Sequence, residues 1–206
     1  MYQNRIKRIL DLLLSGLAIF ALSPLLLVIA AWIKLDSKGP VLFTQKRIGK
    51  DKAPFVIFKF RTMHTGAPRD IPTHLFHDSG LYVTQAGRFL RRTSLDEFPQ
   101  LFNIFIGQMS VVGPRPALWN QDDLIRERDR YGANDIRPGL TGWAQINGRD
   151  ELEIARKAEL DGAYTKSVSF GMDLKCLLQT VKNVIKRKGV VEGGVAGRRN
   201  HASSGT

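Results

Sequence analysis

From Leu12 to Ile33 the chain carries no charged residue, and no other segment restricts the fold so strongly. As a helix, about 22 residues at 1.5 Å each reach roughly 33 Å, enough to cross a hydrocarbon layer of about 30 Å. Ser23-Pro24 interrupts the stretch at its middle. Proline removes a backbone donor and crowds the preceding turn, at about 3 kcal/mol in an ordinary helix, so a kink is expected there. Arg5, Lys7 and Arg8 precede the stretch, and Lys34, Lys38, Lys46, Arg47, Lys50 and Lys52 follow it. Pushing either basic cluster across a bilayer is disfavoured, so a segment that enters one leaflet and returns at Ser23-Pro24 is preferred over a straight span. A cleaved signal peptide ending near Ala30-Ala31 is the third reading. Against it, the apolar run is too long for the usual hydrophobic region, and Asp11 interrupts its start.

The chain is 206 residues long, so it can bury one good core beyond this anchor and little more. A formal charge of +12 makes a strong field for anions, whether nucleic acid, an anionic leaflet or a nucleotide-like substrate. Charge alone does not choose among them. Cys176 is the single cysteine, which excludes an internal disulfide and suits a cytosol-facing domain; it reads as a small apolar helix residue.

Chemistry is most concentrated in Ser94-Leu95-Asp96-Glu97-Phe98-Pro99-Gln100, where two adjacent carboxylates follow Arg91 and Arg92. One carboxylate could attack or accept a proton while its neighbour holds a divalent metal, with arginines neutralising phosphate oxygens. The structural alternative is a capping box, in which Ser94 and Glu97 satisfy backbone donors at a helix start. Upstream, Val41–Ile48 and Phe55–Phe60 read as two strands of a hairpin joined across residues 49–54. Alternation would put Lys59 and Arg61 on one face, toward a phosphate or simply along a solvated edge. Residues 66–80 read as a surface loop, and His74 and His77, without a third ligand, as solvent-facing. The run Leu101–Ile106 reads as a buried helix ending near Gly107.

Two loops, Gly113-Pro114-Arg115-Pro116 and Arg137-Pro138-Gly139-Leu140-Thr141-Gly142, and the following Asn147-Gly148-Arg149, present arginines on restrained backbone. Such turns can aim guanidinium groups at phosphate, although plain turn chemistry accounts for each alone. Residues 122–131 read as a charged helix with a solvated face and no catalytic role. Leu174, Leu177, Leu178, Val181, Val184 and Ile185 share one helical face, suited to a membrane interface or to the core.

In this order, from the basic and apolar N-terminal segment through Lys59-Phe60-Arg61-Thr62-Met63, Arg91, the Ser94–Asn103 segment and the three arginine turns, the motifs resemble the bacterial sugar transferase family, the small monotopic phosphoglycosyl transferases. The resemblance covers nearly the whole chain. It implies an α+β fold: a small, mostly helical domain with a β-hairpin, an N-terminal re-entrant membrane helix over 1–36 and a catalytic domain over 37–188 with amphipathic interfacial helices; residues 189–206, glycine-rich and basic with little to bury, read from composition as a disordered tail. It also implies transfer of a sugar-1-phosphate from a UDP-sugar to undecaprenyl phosphate at the cytoplasmic face of the bacterial inner membrane, with Mg²⁺ and release of UMP. Asp96 would be the nucleophile that carries a covalent phosphosugar, and Glu97 would bind the metal. Lys59, Arg91, Arg115 and Arg149 would bind substrate phosphate, with Arg61, Arg137 and Asp161 in support and Ser23 and Pro24 as the membrane break.

Membrane lipid is an expected partner and nucleic acid is not, while a homodimer is left open. Phe98, where the family often has leucine, and the long 65–82 connection depart from the pattern and leave sugar choice undecided. The chain is expected to work as the bare catalytic unit. The competing class is a membrane-tethered basic module for anionic lipid or nucleic acid, with Asp96-Glu97 merely capping a helix.

Overall fold

The computed structural model describes residues 2–68, 79–148 and 152–185. After a π-helical turn over Tyr2–Ile6, helix α1 runs through Lys7–Asp36. At 1.5 Å per residue these 30 residues span about 45 Å, and the helix continues through Pro24. Among the described residues, α1 alone is long and apolar enough to cross a membrane. It does not stand clear of the rest of the chain. Ala18, Ile19 and Leu22 pack on a core of Phe55, Ile57, Leu101, Ile104 and Met109, while Ile29 and Ile33 enter a second core with Phe60 and Leu90.

Polar groups hold both ends of α1 to the same domain. Near its start, Asp11 accepts a hydrogen bond from the Val111 amide (2.9 Å), and Arg8 donates to the carbonyls of Ile104 (2.6 Å) and Phe105 (2.7 Å). At its end, Asp36 accepts from the Ala86 amide (3.2 Å), and Arg61 donates to the Ile33, Ser37 and Lys38 carbonyls. The opposite side stays bare: Leu17, Phe20, Leu27 and Val28 are two-thirds exposed or more.

The expected hairpin forms, as β1 (Leu42–Ile48) antiparallel to β2 (Pro54–Phe60), with Phe43 opposite Lys59 and Ile48 opposite Pro54. A short α2 (Ser79–Tyr82) and then α3 (Gln85–Thr93) follow; Thr84 caps α3 by accepting from the Gly87 amide (3.0 Å). Helix α4 (Gln100–Phe105) ends one residue before the anticipated boundary and leads into Gly107 at φ +90°. β3 (Ser110–Val112) then pairs in parallel with β4 (Gly139–Thr141), so the two glycine- and proline-rich loops lie side by side. Their approach is so close that a Cβ on Gly139 would sit 2.1 Å from the Gly113 nitrogen.

Between these strands lies α5 (Asp122–Asp129), and after them come α6 (Trp143–Ile146), α7 (Ile154–Lys166) and α8 (Phe170–Ile185). A third core of Val112, Tyr164 and Cys176 joins α7 and α8 to β3. Cys176 is fully buried. Asp173 ties this region to the chain start, accepting from Tyr2 (2.7 Å), Lys7 (2.5 Å) and Tyr164 (2.6 Å). On α8 the side chains of Phe170, Leu174, Leu178, Val181 and Ile185 are exposed, so most of the anticipated apolar face is not used by the core. The expected surface loop is described only at its ends, and His74, His77 and the tail lie outside the described residues.

Candidate active site

The carboxylate pair sits where α3 stops. Ser94 adopts the left-handed conformation (φ 57°, ψ 18°), and its amide closes α3 on the Arg91 and Leu90 carbonyls. A left-handed residue with a Cβ costs about 1–2 kcal/mol. What it gives is a sharp reversal into a single 3-10 turn, Leu95–Glu97, followed by Pro99 and α4. Leu95 packs against the core of Ile29, Ile33, Phe60 and Leu90, which fixes the turn to both α1 and β2. The Ser94 side chain makes no capping hydrogen bond, so the capping-box reading fails.

Glu97 is spent on cations instead. Its Oε1 accepts from Lys59 Nζ at 2.8 Å and from Arg115 Nη2 at 2.7 Å, while Oε2 is only loosely approached by Arg115 Nη1 at 3.5 Å. Burial pushes this carboxyl up, but Arg115 and Lys59 together outweigh it and hold Glu97 well below the usual carboxylate range. Burial also lowers the Lys59 ammonium, against the pull of Glu97.

Asp96 is in the opposite condition. Among the described residues it accepts no hydrogen bond, and burial, reinforced by Glu97 and opposed by Lys59, Arg91 and Arg115, pushes its carboxyl up to about 6. Above that pH it is an ionised oxygen without a hydrogen-bond donor, in a ring of cations that attract an anionic substrate. Arg91 is aimed by its Nε donating to Thr62 Oγ1 (2.9 Å), and burial lowers its guanidinium despite the charge of Asp96.

The cations rest on a second tier. Asn103, fully buried on α4, accepts from the Phe58 amide (3.0 Å) and donates to the Val56 carbonyl (2.7 Å), pinning β2 beside the turn so that Lys59 meets Glu97. Arg128 donates to Asp161 Oδ2 through Nε (2.9 Å) and Nη2 (2.5 Å), while its Nη1 reaches the Arg115 carbonyl (2.9 Å). Beside Glu97 opens a cavity of about 670 Å³ whose polar lining includes Ser94, Gln145, Thr180 and Asn183.

The structure therefore gathers Lys59, Arg91, Asp96, Glu97 and Arg115. It does not bring Arg61 to them: that side chain turns away from Lys59 to the last carbonyls of α1, so the expected pair of cations on one face does not form. Arg137 bonds the Gly107 carbonyl (2.9 Å) and lines a different cavity. Asp161 touches no site carboxylate and instead orients Arg128, one of the two supporting roles expected of it. Arg149 lies outside the described residues. Sequence reasoning missed Asn103, whose signal was a polar residue inside an apolar run. It also missed Arg128, hidden in a charged stretch that reads as solvated.

The model of the bacterial sugar transferase family matches residues 2–187. The chain belongs to that family. Among relatives of this bacterial sugar transferase, the undecaprenyl-phosphate glucose phosphotransferase of Komagataeibacter xylinus is 43% identical over 189 residues, 87% of this chain and 36% of that protein. The UDP-glucose:undecaprenyl-phosphate glucose-1-phosphate transferase of Klebsiella pneumoniae is 42% identical over 182 residues, 85% of this chain and 39% of that protein. This bacterial sugar transferase thus spans little more than a third of the length of those two. The uncharacterized sugar transferase EpsL of Bacillus subtilis (strain 168) is 39% identical over 185 residues and is matched over 90% of both chains.

Proposed function

We propose that the chain transfers a sugar-1-phosphate from a UDP-sugar to undecaprenyl phosphate at a membrane surface, through a covalent intermediate on Asp96. The observation that carries this reading is the division of labour in the turn: Glu97 is neutralised by Lys59 and Arg115, while Asp96 has no hydrogen-bond donor among the described residues and faces the same cations. In the first step an Asp96 carboxylate oxygen attacks the sugar-bearing β-phosphorus, and the bridging oxygen leaves with UMP. In the second, an oxygen of undecaprenyl phosphate attacks the same phosphorus. The acyl–phosphate bond breaks and Asp96 is returned as carboxylate. No base is needed for the first attack, because the nucleophile is already ionised near neutral pH.

Lys59, Arg91 and Arg115 stabilise charge on the transferring phosphoryl oxygens, as fixed donors in a largely desolvated site do. The donor set also suits Mg²⁺, which takes one or two carboxylates together with substrate phosphates and water. Glu97, with Oε2 only loosely engaged, is the residue to hold it, and the bound ion would offset repulsion between the carboxylate and a diphosphate.

The placement of α1 supports the re-entrant reading. Both of its ends are bound to one domain, and its bare face would forgo about 1.5–3 kcal/mol for each large apolar side chain left in water. A straight span would carry one end away from the domain. The exposed stripe of α8 supports an interfacial helix in the same way. A cytoplasmic face of the inner membrane follows from the basic flanks.

The test is UMP release with undecaprenyl phosphate, Mg²⁺ and a panel of UDP-sugars led by UDP-glucose, the donor that the name of the Klebsiella relative carries. Without acceptor, the intact protein should gain the mass of one phosphosugar, mapped to the Asp96 peptide. Asp96→Asn should show neither event; turnover retained in that variant would overturn the reading.

A further inference from the structure

We propose a second anion site, on the far side of β3 from the cavity beside Glu97, that takes the phosphodiester headgroup of a membrane phospholipid. Side chains alternate along a strand. Val111 faces the cavity beside Glu97, while its neighbour Ser110 lines a separate pocket of about 350 Å³ at the start of α1. The two cavities share no lining residue.

The second pocket holds donors that the described residues leave unpaired. Ser110 is 1% exposed and its Oγ has no hydrogen-bond partner among the described residues, a condition that points to an acceptor the protein does not itself supply. Arg137 spends only Nε, on the Gly107 carbonyl (2.9 Å), and its two terminal nitrogens make no hydrogen bond among the described residues. Lys50 has one loose, exposed contact with Asp51 at 3.7 Å. Among the other charges in the lining, Lys7 is committed to Asp173, Arg8 to the carbonyls ending α4 and Asp11 to the Val111 amide, while the Asp135 carboxylate remains as an opposing charge.

With Lys7 neutralised by Asp173, Arg8, Lys50 and Arg137 stand against Asp11 and Asp135, an excess of one positive charge. A phosphodiester carries one negative charge, and guanidinium and hydroxyl donors fit two of its oxygens. Its source is set by position. Lys7, Arg8 and Asp11 belong to the first turns of the helix whose bare apolar face begins with Ile9 and Leu13, so a headgroup seated here leaves its acyl chains beside that face.

The experiment titrates dihexanoyl phosphatidylglycerol, and separately inorganic phosphate, into the full chain in a non-ionic detergent, with binding read by ³¹P line width and thermal shift. Saturation by the lipid but not by phosphate is expected. Lys50→Glu and Ser110→Ala should each weaken it by about tenfold or more. Arg137→Gln should do the same, and the first two variants keep the test valid if loss of the Gly107 contact unfolds the third. Asp96→Asn should bind like the unaltered protein, which separates this site from the catalytic reading. Equal saturation by inorganic phosphate, lost in the same variants, would keep the site and assign it to soluble phosphate. No saturation by either probe, or saturation unchanged in Lys50→Glu and Ser110→Ala, would overturn it.

Discussion

Asp96 and Glu97 are chain neighbours with opposite electrostatic fates, and their substitutions should separate accordingly. Folding raises the Asp96 carboxyl from 3.8 to about 6, so the folded state binds its proton more tightly than the unfolded state does. The sign follows: this group costs stability above about pH 6, and the cost fades as pH falls toward 3.8. Asp96→Asn should therefore abolish turnover yet raise stability at pH 7.5 by about 2–3 kcal/mol, read as a higher unfolding midpoint. In the unaltered protein kcat/KM should fall about tenfold per unit below pH 6, as Asp96, the proposed nucleophile, takes up its proton. Glu97→Gln should do the reverse for stability, losing about 3 kcal/mol, because it leaves the part-buried Lys59 and Arg115 without their shared counter-charge. A Glu97→Gln protein that melts with the unaltered chain would refute that account.

The elements matter through what they hold in place. The Asp161–Arg128 pair joins α7 to α5, and Arg128 passes the constraint to the Arg115 carbonyl. Asp161→Asn should destabilise the fold by about 3 kcal/mol and lower kcat more than it raises KM; an unchanged rate in the folded fraction would show that Arg115 is held by other means. For α1 the prediction concerns sidedness. Cysteines introduced at Gln3 and Lys38 should react with an impermeant maleimide from the same side of sealed vesicles, against a low background, since Cys176 is fully buried. Labelling from opposite sides would mean a straight span. These elements were unequally legible in the sequence. The hairpin and α4 were readable because Val, Ile and Phe runs and Gly107 act locally. The Arg128 pairing was not, because its partner lies 33 residues away and a charged helix gives no sign of which charge is buried. Arg61 was misread for a related reason: strand alternation says which face a residue takes, not that the chain end beyond Phe60 meets the carbonyls of α1.

At the scale of the whole molecule, a charge of +12 and two bare apolar surfaces should act on a membrane in distinguishable ways. Raising salt from about 0.05 to about 0.5 M shortens the screening length several-fold. Binding to vesicles containing phosphatidylglycerol should weaken over that range, while binding to neutral phosphatidylcholine vesicles, carried by α1 and α8, should hardly change. Full release from both at high salt would mean that the apolar faces do not enter lipid. The site itself was legible in the sequence as two carboxylates and scattered cations. Which cations converge was decided by long-range pairing of β3 with β4 and of Asn103 with β2, beyond what spacing encodes.

The bond between Asp11 and the Val111 amide also imposes an order of events in time. The two residues are 100 apart, so at about 5–20 residues per second the ribosome delivers the partner roughly 5–20 s after the carboxylate emerges. Throughout that interval Asp11 lacks the Val111 amide and must be solvated by water or by Lys7 and Arg8, one turn before it on the same helix. On the re-entrant reading proposed above, the first turns of the apolar helix would stay at the surface until the domain has been synthesised and folded against them.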